Sequence, residues 1–187
     1  MKKLVVFTVL VLSTLLALGQ ADSSRKAQKK IEQIQKKELA AGMYASEKSK
    51  LLQLAMDMNL VLEATAIYGR HGYNATVTQN NFILIDSTDF ILQTSSPTYV
   101  GPNGMGGVTI RGVITSYEVK EGKEKHPVVI TAQINTFGLG VATLIVRLPN
   151  AENSSAIFTT NSGGTITFSG PVTSVEESSV YKGMNLY

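Results

Sequence analysis

The chain has 187 residues, with 17 Lys and Arg against 14 Asp and Glu, 43% apolar residues and two His. It contains no Cys and no Trp. The lack of Cys excludes a disulfide framework, thiol catalysis and a Cys-based metal site. Two His are too few for a His-rich metal cage. A charged fraction of 17%, with ample Val, Ile and Leu, argues against disorder and predicts one packed domain.

Residues 1–21 have the layout of a secretory signal peptide. A short basic start precedes an apolar run over residues 4–18, and small residues come after it. The run is shorter than the roughly 20 apolar residues that a membrane span needs, so cleavage after Gly19 or Ala21 is expected. No Cys stands beyond the run to carry a lipid. The sequence therefore predicts an exported protein, periplasmic or outer-membrane-associated, that is not a lipoprotein.

Residues 22–45 are predicted to form a basic arm that is helical or disordered. Helix-favouring residues dominate, but the apolar stripe fades at Glu38 and breaks around Gly42. A helix with so narrow a stripe is marginal in water, so a frayed or disordered arm is expected. Its basic side chains favour either a solvated surface or attraction to an anionic one, such as membrane lipid heads or acidic polysaccharide. They are Arg25, Lys26, Lys29, Lys30, Lys36 and Lys37.

Residues 46–187 are predicted to form a single β-rich domain with a leading helix. Ser46 is a candidate N-cap for that helix. After Asn59 apolar residues alternate with period two through about eight segments, and no βαβ alternation occurs. The predicted fold class is mainly β, with about eight antiparallel strands forming a curled sheet, a barrel or a sandwich behind an N-terminal helical arm. The pattern further predicts a hairpin with a four-residue turn over Asp86–Asp89 and a bulge or bend at Gly112.

The order of several sequence phrases resembles the family called domain of unknown function 4251. Those phrases are Asn59–Ala64, Gly106–Val108, Arg111–Gly112, Ser116–Val119 and Ile166–Gly170. The resemblance covers roughly residues 25–178. It implies a small exported protein of gut-dwelling Gram-negative bacteria with no assigned activity. Family members often carry Phe-Asp-Gly where this chain has Ile110-Arg111-Gly112, so an acid of the family pattern is missing here.

The loop over residues 97–107 holds four Gly and two Pro. It lacks the Gly-Lys-Ser/Thr ending of a phosphate loop, and no helix comes after it. A plain connection between strands is one interpretation. The other is a binding loop that presents Tyr99, Asn103 and Met105, because loops on sheet scaffolds often carry recognition.

The titratable residues do not assemble into a catalytic set in sequence. His71 and His126 both fall in predicted turns without a carboxylate or nucleophile beside them. The acid pairs 86/89 and 176/177 invite a glycosidase interpretation, which requires carboxylates that face each other across a cleft. No Gly-x-Ser-x-Gly elbow is present. No enzyme activity, metal site or cofactor is therefore predicted.

The triplet Asp86-Ser87-Thr88 resembles the short site for O-linked sugar in exported proteins of such bacteria. Ser87 is therefore a candidate O-glycosylation site, with a plain turn as the alternative.

Three functions remain open from the sequence. The first is a non-enzymatic binding domain for an apolar small ligand or an envelope partner protein. The second is a cell-envelope hydrolase, for which Glu63, Glu118 and His126 are the first residues to substitute. The third is a structural protein held at an anionic surface by the basic arm. Nucleic acid is not an expected partner, because the body is mildly acidic and lacks stacked aromatic motifs.

Overall fold

The computed structural model describes residues 2–69, 74–76, 80–95, 104, 106–123 and 126–180, with side chains from residue 28 onward outside 74–76. One helix, α1, spans Lys2–Met56. Eleven strands lie beyond it in the described part of the chain: β1 Asn59–Glu63, β2 Ala66–Gly69, β3 Asn74–Thr76, β4 Phe82–Asp86, β5 Asp89–Gln93, β6 Thr109–Lys120, β7 Val128–Thr136, β8 Gly140–Leu148, β9 Ser154–Thr160, β10 Thr165–Gly170 and β11 Val172–Thr173.

Helix α1 continues through Gly42, where the apolar stripe breaks. Glycine inside a helix costs only about 1 kcal/mol relative to alanine and keeps its backbone hydrogen bond. The helix ends at Met56, and Met58 takes a positive φ of 51°. By their contacts the residues form two compact units, Met1–Ser46 and Glu47–Tyr187.

The side chains over residues 28–43 are all exposed. In the part of the chain with described side chains, no helix combines the length and apolar character needed to cross a membrane.

The strands form one antiparallel sheet in the order β11-β1-β4-β5-β6-β7-β8-β9-β10-β2-β3. Its two ends meet, because β10 and β11 are separated by a single residue, Pro171, and β1 and β2 by Ala64 and Thr65. At this crossing the amide of Glu63 donates to the carbonyl of Pro171 at 2.9 Å, and the amide of Thr65 donates to the carbonyl of Ser169 at 2.7 Å. The curled antiparallel sheet is therefore confirmed, and its hydrogen-bonded ladder returns on itself.

The inner side of the curled sheet holds the main core. Alternate residues of the long strands point inward, as the burial pattern of β7 and β8 shows. Two residues of the helix end, Leu51 and Ala55, are buried in the same cluster. Phe90 and Phe158 stack inside it, with ring centroids 5.5 Å apart and planes inclined by 8°. Side chains of strands and helix thus fill the inside together.

A second apolar cluster lies on the opposite face of β1, β4 and β5. It consists of Val61, Phe82, Leu84 and Ile91. Val175 and Val180, from the segment after β11, pack against it. Strand β4 is therefore buried on both faces, which explains its unbroken apolar run.

The bulge in β6 lies between Ile114 and Ser116, so the prediction of a bulge at Gly112 was wrong. Gly112 instead permits close strand packing, because a Cβ there would lie 2.7 Å from the carbonyl oxygen of Asn135. The bulge returns Tyr117 and Val119 to the inner side.

The hairpin of β4 and β5 is confirmed, but its turn has two residues rather than four. Asp86 and Asp89 still pair within the ladder, so only Ser87 and Thr88 form the turn.

Candidate functional site

The tip of the β7–β8 hairpin carries the most exposed aromatic side chain among the described residues. Phe137 is 70% exposed and Leu139 is 50% exposed. The tip connects Thr136 to Gly140, a position where polar residues and glycine usually stand. Two large apolar side chains therefore face solvent at a site where the fold does not need them.

Hydrogen bonds hold this tip in place. The amide of Phe137 donates to the carbonyl of Arg111 at 2.8 Å, and the hydroxyl of Thr136 donates to the carbonyl of Gly140 at 2.5 Å. Gly138 and Gly140 take φ values of 101° and 72°, which favour glycine. The tip is thus a defined turn that is hydrogen-bonded to β6.

Two exposed valines extend the apolar surface onto the sheet. Val113 on β6 and Val141 on β8 both lie opposite Asn135 of β7, and they are 38% and 41% exposed. We call Val113, Phe137, Leu139 and Val141 the hairpin patch. No ionisable residue occurs between Val128 and Val146. The exposed Asp89 lies opposite Val113 on the neighbouring strand β5. An apolar surface that contains an aromatic residue and has a charged residue at its edge has the layout of a protein interface, with an apolar core and a polar rim.

Polar contacts join the helix end to the strands and to the loops between them. The carboxylate of Glu47 accepts the amide of Ala151 at 2.8 Å. Lys48 donates to the carbonyl of Gly122 and lies 3.6 Å from the carboxylate of Glu121.

A further hydrogen bond joins the helix to the inner side of β6. The hydroxyl of Tyr117 donates to the carbonyl of Ala55 at 2.7 Å. Burial disfavours the phenolate, so the pKa of Tyr117 lies well above its ordinary range. Tyr117 is therefore a structural donor rather than a proton-transfer group near neutral pH.

The predicted binding loop falls in a part of the chain that the structure does not describe. Tyr99, Asn103 and Met105 lie outside the described residues, and so does His71. Ser87 is described: it is exposed in its turn and takes a positive φ of 54°. An exposed hydroxyl in a tight turn is accessible, and O-glycosylation there stays a prediction.

The three residues named for a hydrolase have separate surroundings. Glu63 on β1 accepts the hydroxyl of Ser178 at 2.8 Å. Glu118 on β6 lies 3.2 Å from Lys120. His126 is exposed before β7, where its amide donates to the carbonyl of Lys123. The carboxylates of Glu63 and Glu118 thus contact different side chains, whereas the contact of His126 is through its backbone.

The acid pairs also serve local structure. Asp86 and Asp89 are exposed on either side of their turn. Glu176 accepts the Nδ2 group of Asn59 at 2.9 and 3.0 Å, and this bond lowers its pKa. The hydroxyl of Thr173 donates to Glu177 at 3.0 Å. Within the described residues no cluster of three or more His, Asp or Glu has the arrangement of a metal site.

A shallow polar depression of about 230 Å³ lies where the segment of β1 and β2 crosses the segment of β10 and β11. Its lining is mainly hydroxyl-bearing, and it comprises Thr65, Glu152, Asn153, Ser154, Ser155, Ser169 and Gly170. The hydroxyl of Thr65 is already bonded to the carbonyl of Ser169, and that of Ser154 to the carbonyl of Asn150. At least two of the hydroxyl groups that line the depression are therefore already donating hydrogen bonds within the protein.

Fold and surface together define a small antiparallel sheet protein that is curled around an apolar core. The sequence matches the model of the family described as domain of unknown function 4251 over residues 43–172. The chain belongs to that family, which confirms the resemblance seen in its sequence phrases.

A solved structure supports the same assignment. The chain is similar to a crystal structure of a DUF4251 family protein from Bacteroides eggerthii, with 26% identity and a TM-score of 0.56. The match covers 74% of this chain and 94% of that one. No functionally curated protein matches the sequence.

Proposed function

We propose that this protein is a non-enzymatic interaction domain that binds an envelope partner protein through the hairpin patch. The supporting observation is the exposure of Phe137 and Leu139 on a hydrogen-bonded turn. A few side chains contribute most of the binding energy in many interfaces, and aromatic residues, including Phe, are enriched there. The fitting partner presents an apolar recess, because the tip itself, from Thr136 to Gly140, carries no ionisable side chain.

The packing of the core favours a partner at the surface over an apolar ligand inside. Inner residues of four different strands, such as Phe90, Ile130, Leu144 and Phe158, are at most 1% exposed. The helix end adds Leu51 and Ala55 to the same space. A ligand inside would have to displace these side chains, whereas the hairpin patch is accessible without rearrangement.

The first test is site-specific photocrosslinking in cells that produce the full chain. A photoreactive residue at position 137 or 139 is expected to capture one reproducible partner. The same residue at Thr131, on the outer face of β7, serves as the control and is expected to capture little. Equal capture at all three positions would remove the support for the patch.

The second step measures affinity with the captured partner after purification. Phe137→Ser with Leu139→Ser is expected to weaken binding about 30-fold or more, as loss of a hot spot of 2 kcal/mol or more does. Leu39→Ser with Met43→Ser removes comparable exposed apolar side chains from the helix and is the matched control. If the helix variant loses as much affinity as the tip variant, the hairpin patch is not the binding surface.

A further inference from the structure

We infer that the exposed part of helix α1, residues 28–43, lies on an anionic lipid surface through one basic face. The helix is continuous through this segment. At about 100° per residue, Lys29, Lys30, Lys36 and Lys37 fall within an arc of about 120°. We call these four lysines the basic arc.

The charges of the arc are available for an external partner. All four lysines are exposed, and within the described residues none of them joins an ion pair. The two acids of the segment, Glu32 and Glu38, fall outside the arc at the same angular spacing. Four like charges gathered on one face repel each other, and an anionic surface relieves that repulsion.

Apolar side chains flank the arc on both sides. Ile34 and Met43 each lie within about 40° of one of its edges, and they are 46% and 67% exposed. Lysines at such a boundary keep their charge in water while their stems cover apolar surface. A lipid interface offers both head-group charge and an apolar layer, whereas an acidic polysaccharide offers only charge. The flanks therefore favour lipid.

The remainder of the chain does not share this attraction. Residues 47–187 hold nine basic and eleven acidic side chains, whereas residues 22–46 hold six basic and three acidic ones. An anionic surface therefore attracts the segment before Glu47 and weakly repels the body of the protein. The expected gain is about 1 kcal/mol per lysine near the surface, which falls as salt rises.

The test is sedimentation of the full chain with vesicles of phosphatidylcholine, either pure or with about one third phosphatidylglycerol. Binding to neutral vesicles reports apolar attachment, so the proposal concerns the increase that the anionic lipid brings. Replacing the four lysines of the arc by glutamine is expected to reduce this increase about 10-fold or more. Equal increases in the wild type and this variant would overturn the proposal.

A second variant separates the basic face from net charge. Exchanging neighbours, with Gln28→Lys and Lys29→Gln together with Gln35→Lys and Lys36→Gln, keeps composition and charge but moves two lysines about 80–100° out of the arc. This variant is expected to bind anionic vesicles severalfold more weakly than the wild type. Binding equal to that of the wild type would overturn the proposal that the helix binds anionic lipid through one basic face.

An anionic polysaccharide without lipid provides the remaining comparison. Binding to polysaccharide with no increase on anionic vesicles would overturn the lipid assignment. Circular dichroism of each variant checks that the protein is folded. Since the hairpin patch lies on β6–β8 and is unchanged in these variants, their partner binding is expected to stay the same.

Discussion

At the scale of single residues, the molecule uses polar side chains mainly to join segments that are distant in sequence. Tyr117 joins β6 to the helix end through the carbonyl of Ala55. Asn59 joins the start of β1 to the segment after β11, donating to Glu176 and accepting the amide of Val175 at 2.8 Å. These bonds place the helix end and the last described segment, on which both apolar clusters depend.

Replacing Tyr117 by phenylalanine tests the buried hydroxyl. The loss of its bond to Ala55 is expected to lower the free energy of unfolding by about 1 kcal/mol at neutral pH. Burial raises the pKa of Tyr117 above its ordinary value of about 10. The unfolded chain therefore releases this proton first, and the stabilisation present below pH 10 is lost as pH rises above it.

The measurement is urea unfolding followed by circular dichroism between pH 7 and 11. The wild type is expected to lose more stability above pH 10 than Tyr117→Phe, in which the other tyrosines still titrate. Parallel pH curves for the two proteins would show that the Tyr117 hydroxyl is not buried in the folded state.

At the scale of elements, the meeting of the two ends of the curled sheet depends on one close crossing of strands. The bent strand of β1 and β2 passes the bent strand of β10 and β11 at Gly170. A Cβ at Gly170 would lie 2.0 Å from the carbonyl oxygen of Glu63 and 2.8 Å from the amide of Thr65. Both contacts are with backbone, which cannot rotate away, so the position requires glycine.

Gly170→Ala is accordingly expected to lower the free energy of unfolding by about 3 kcal/mol or more, because the two strands must separate. Gly69→Ala on β2 is the matched control, since a Cβ there meets nothing within 4 Å. That control is expected to change stability by less than about 1 kcal/mol. Chemical denaturation measures both, and equal losses in the two variants would contradict the close crossing.

At the scale of the whole molecule, two apolar surfaces on opposite faces of one sheet need separate cover. The helix end closes the inner cluster, and Val175 and Val180 pack on the outer one. The hairpin patch is the apolar surface of the sheet for which the described residues provide no such cover. This contrast supports an external partner at the patch.

Replacing Val175 and Val180 by aspartate tests whether these two side chains cover the second apolar cluster. Carboxylates beside Val61 and Phe82 are expected to lower the free energy of unfolding by about 2 kcal/mol or more, because charge is costly against an apolar surface. Val113→Asp with Val141→Asp places the same charges on exposed strand positions, where a loss below about 1 kcal/mol is expected. Thermal unfolding compares the pairs. A smaller loss for the first pair than for the second would show that the segment is not a cover.

Much of the β-rich part was predictable because successive residues of a strand lie on opposite faces, which gives its sequence a period of two. That period identified the antiparallel β class and the β4–β5 hairpin, and the sequence phrases identified the family. The unbroken apolar run from Phe82 to Ile85 is likewise the local pattern of a strand that is buried on both faces. Local alternation requires no knowledge of distant residues, so these features could be predicted.

The exposed tip at Phe137 left a local signal that was missed. Phe-Gly-Leu-Gly stands between two alternating strands, where a polar turn is the rule. In the sequence, these apolar residues look like the continuation of a strand. Only the pairing of β7 with β8 shows that they form the tip of the hairpin.

The sequence by itself determined which residues are apolar, where strands alternate and which family the chain belongs to. Only the tertiary structure decided that Gly170 marks a strand crossing, that the bulge falls after Ile114, and that Phe137 stays exposed while Phe82 is buried. Such outcomes depend on which distant backbone or side chain lies opposite a residue. Some pairings join segments more than 100 residues apart, such as Leu62 with Val172, and no periodic pattern in the sequence indicates them.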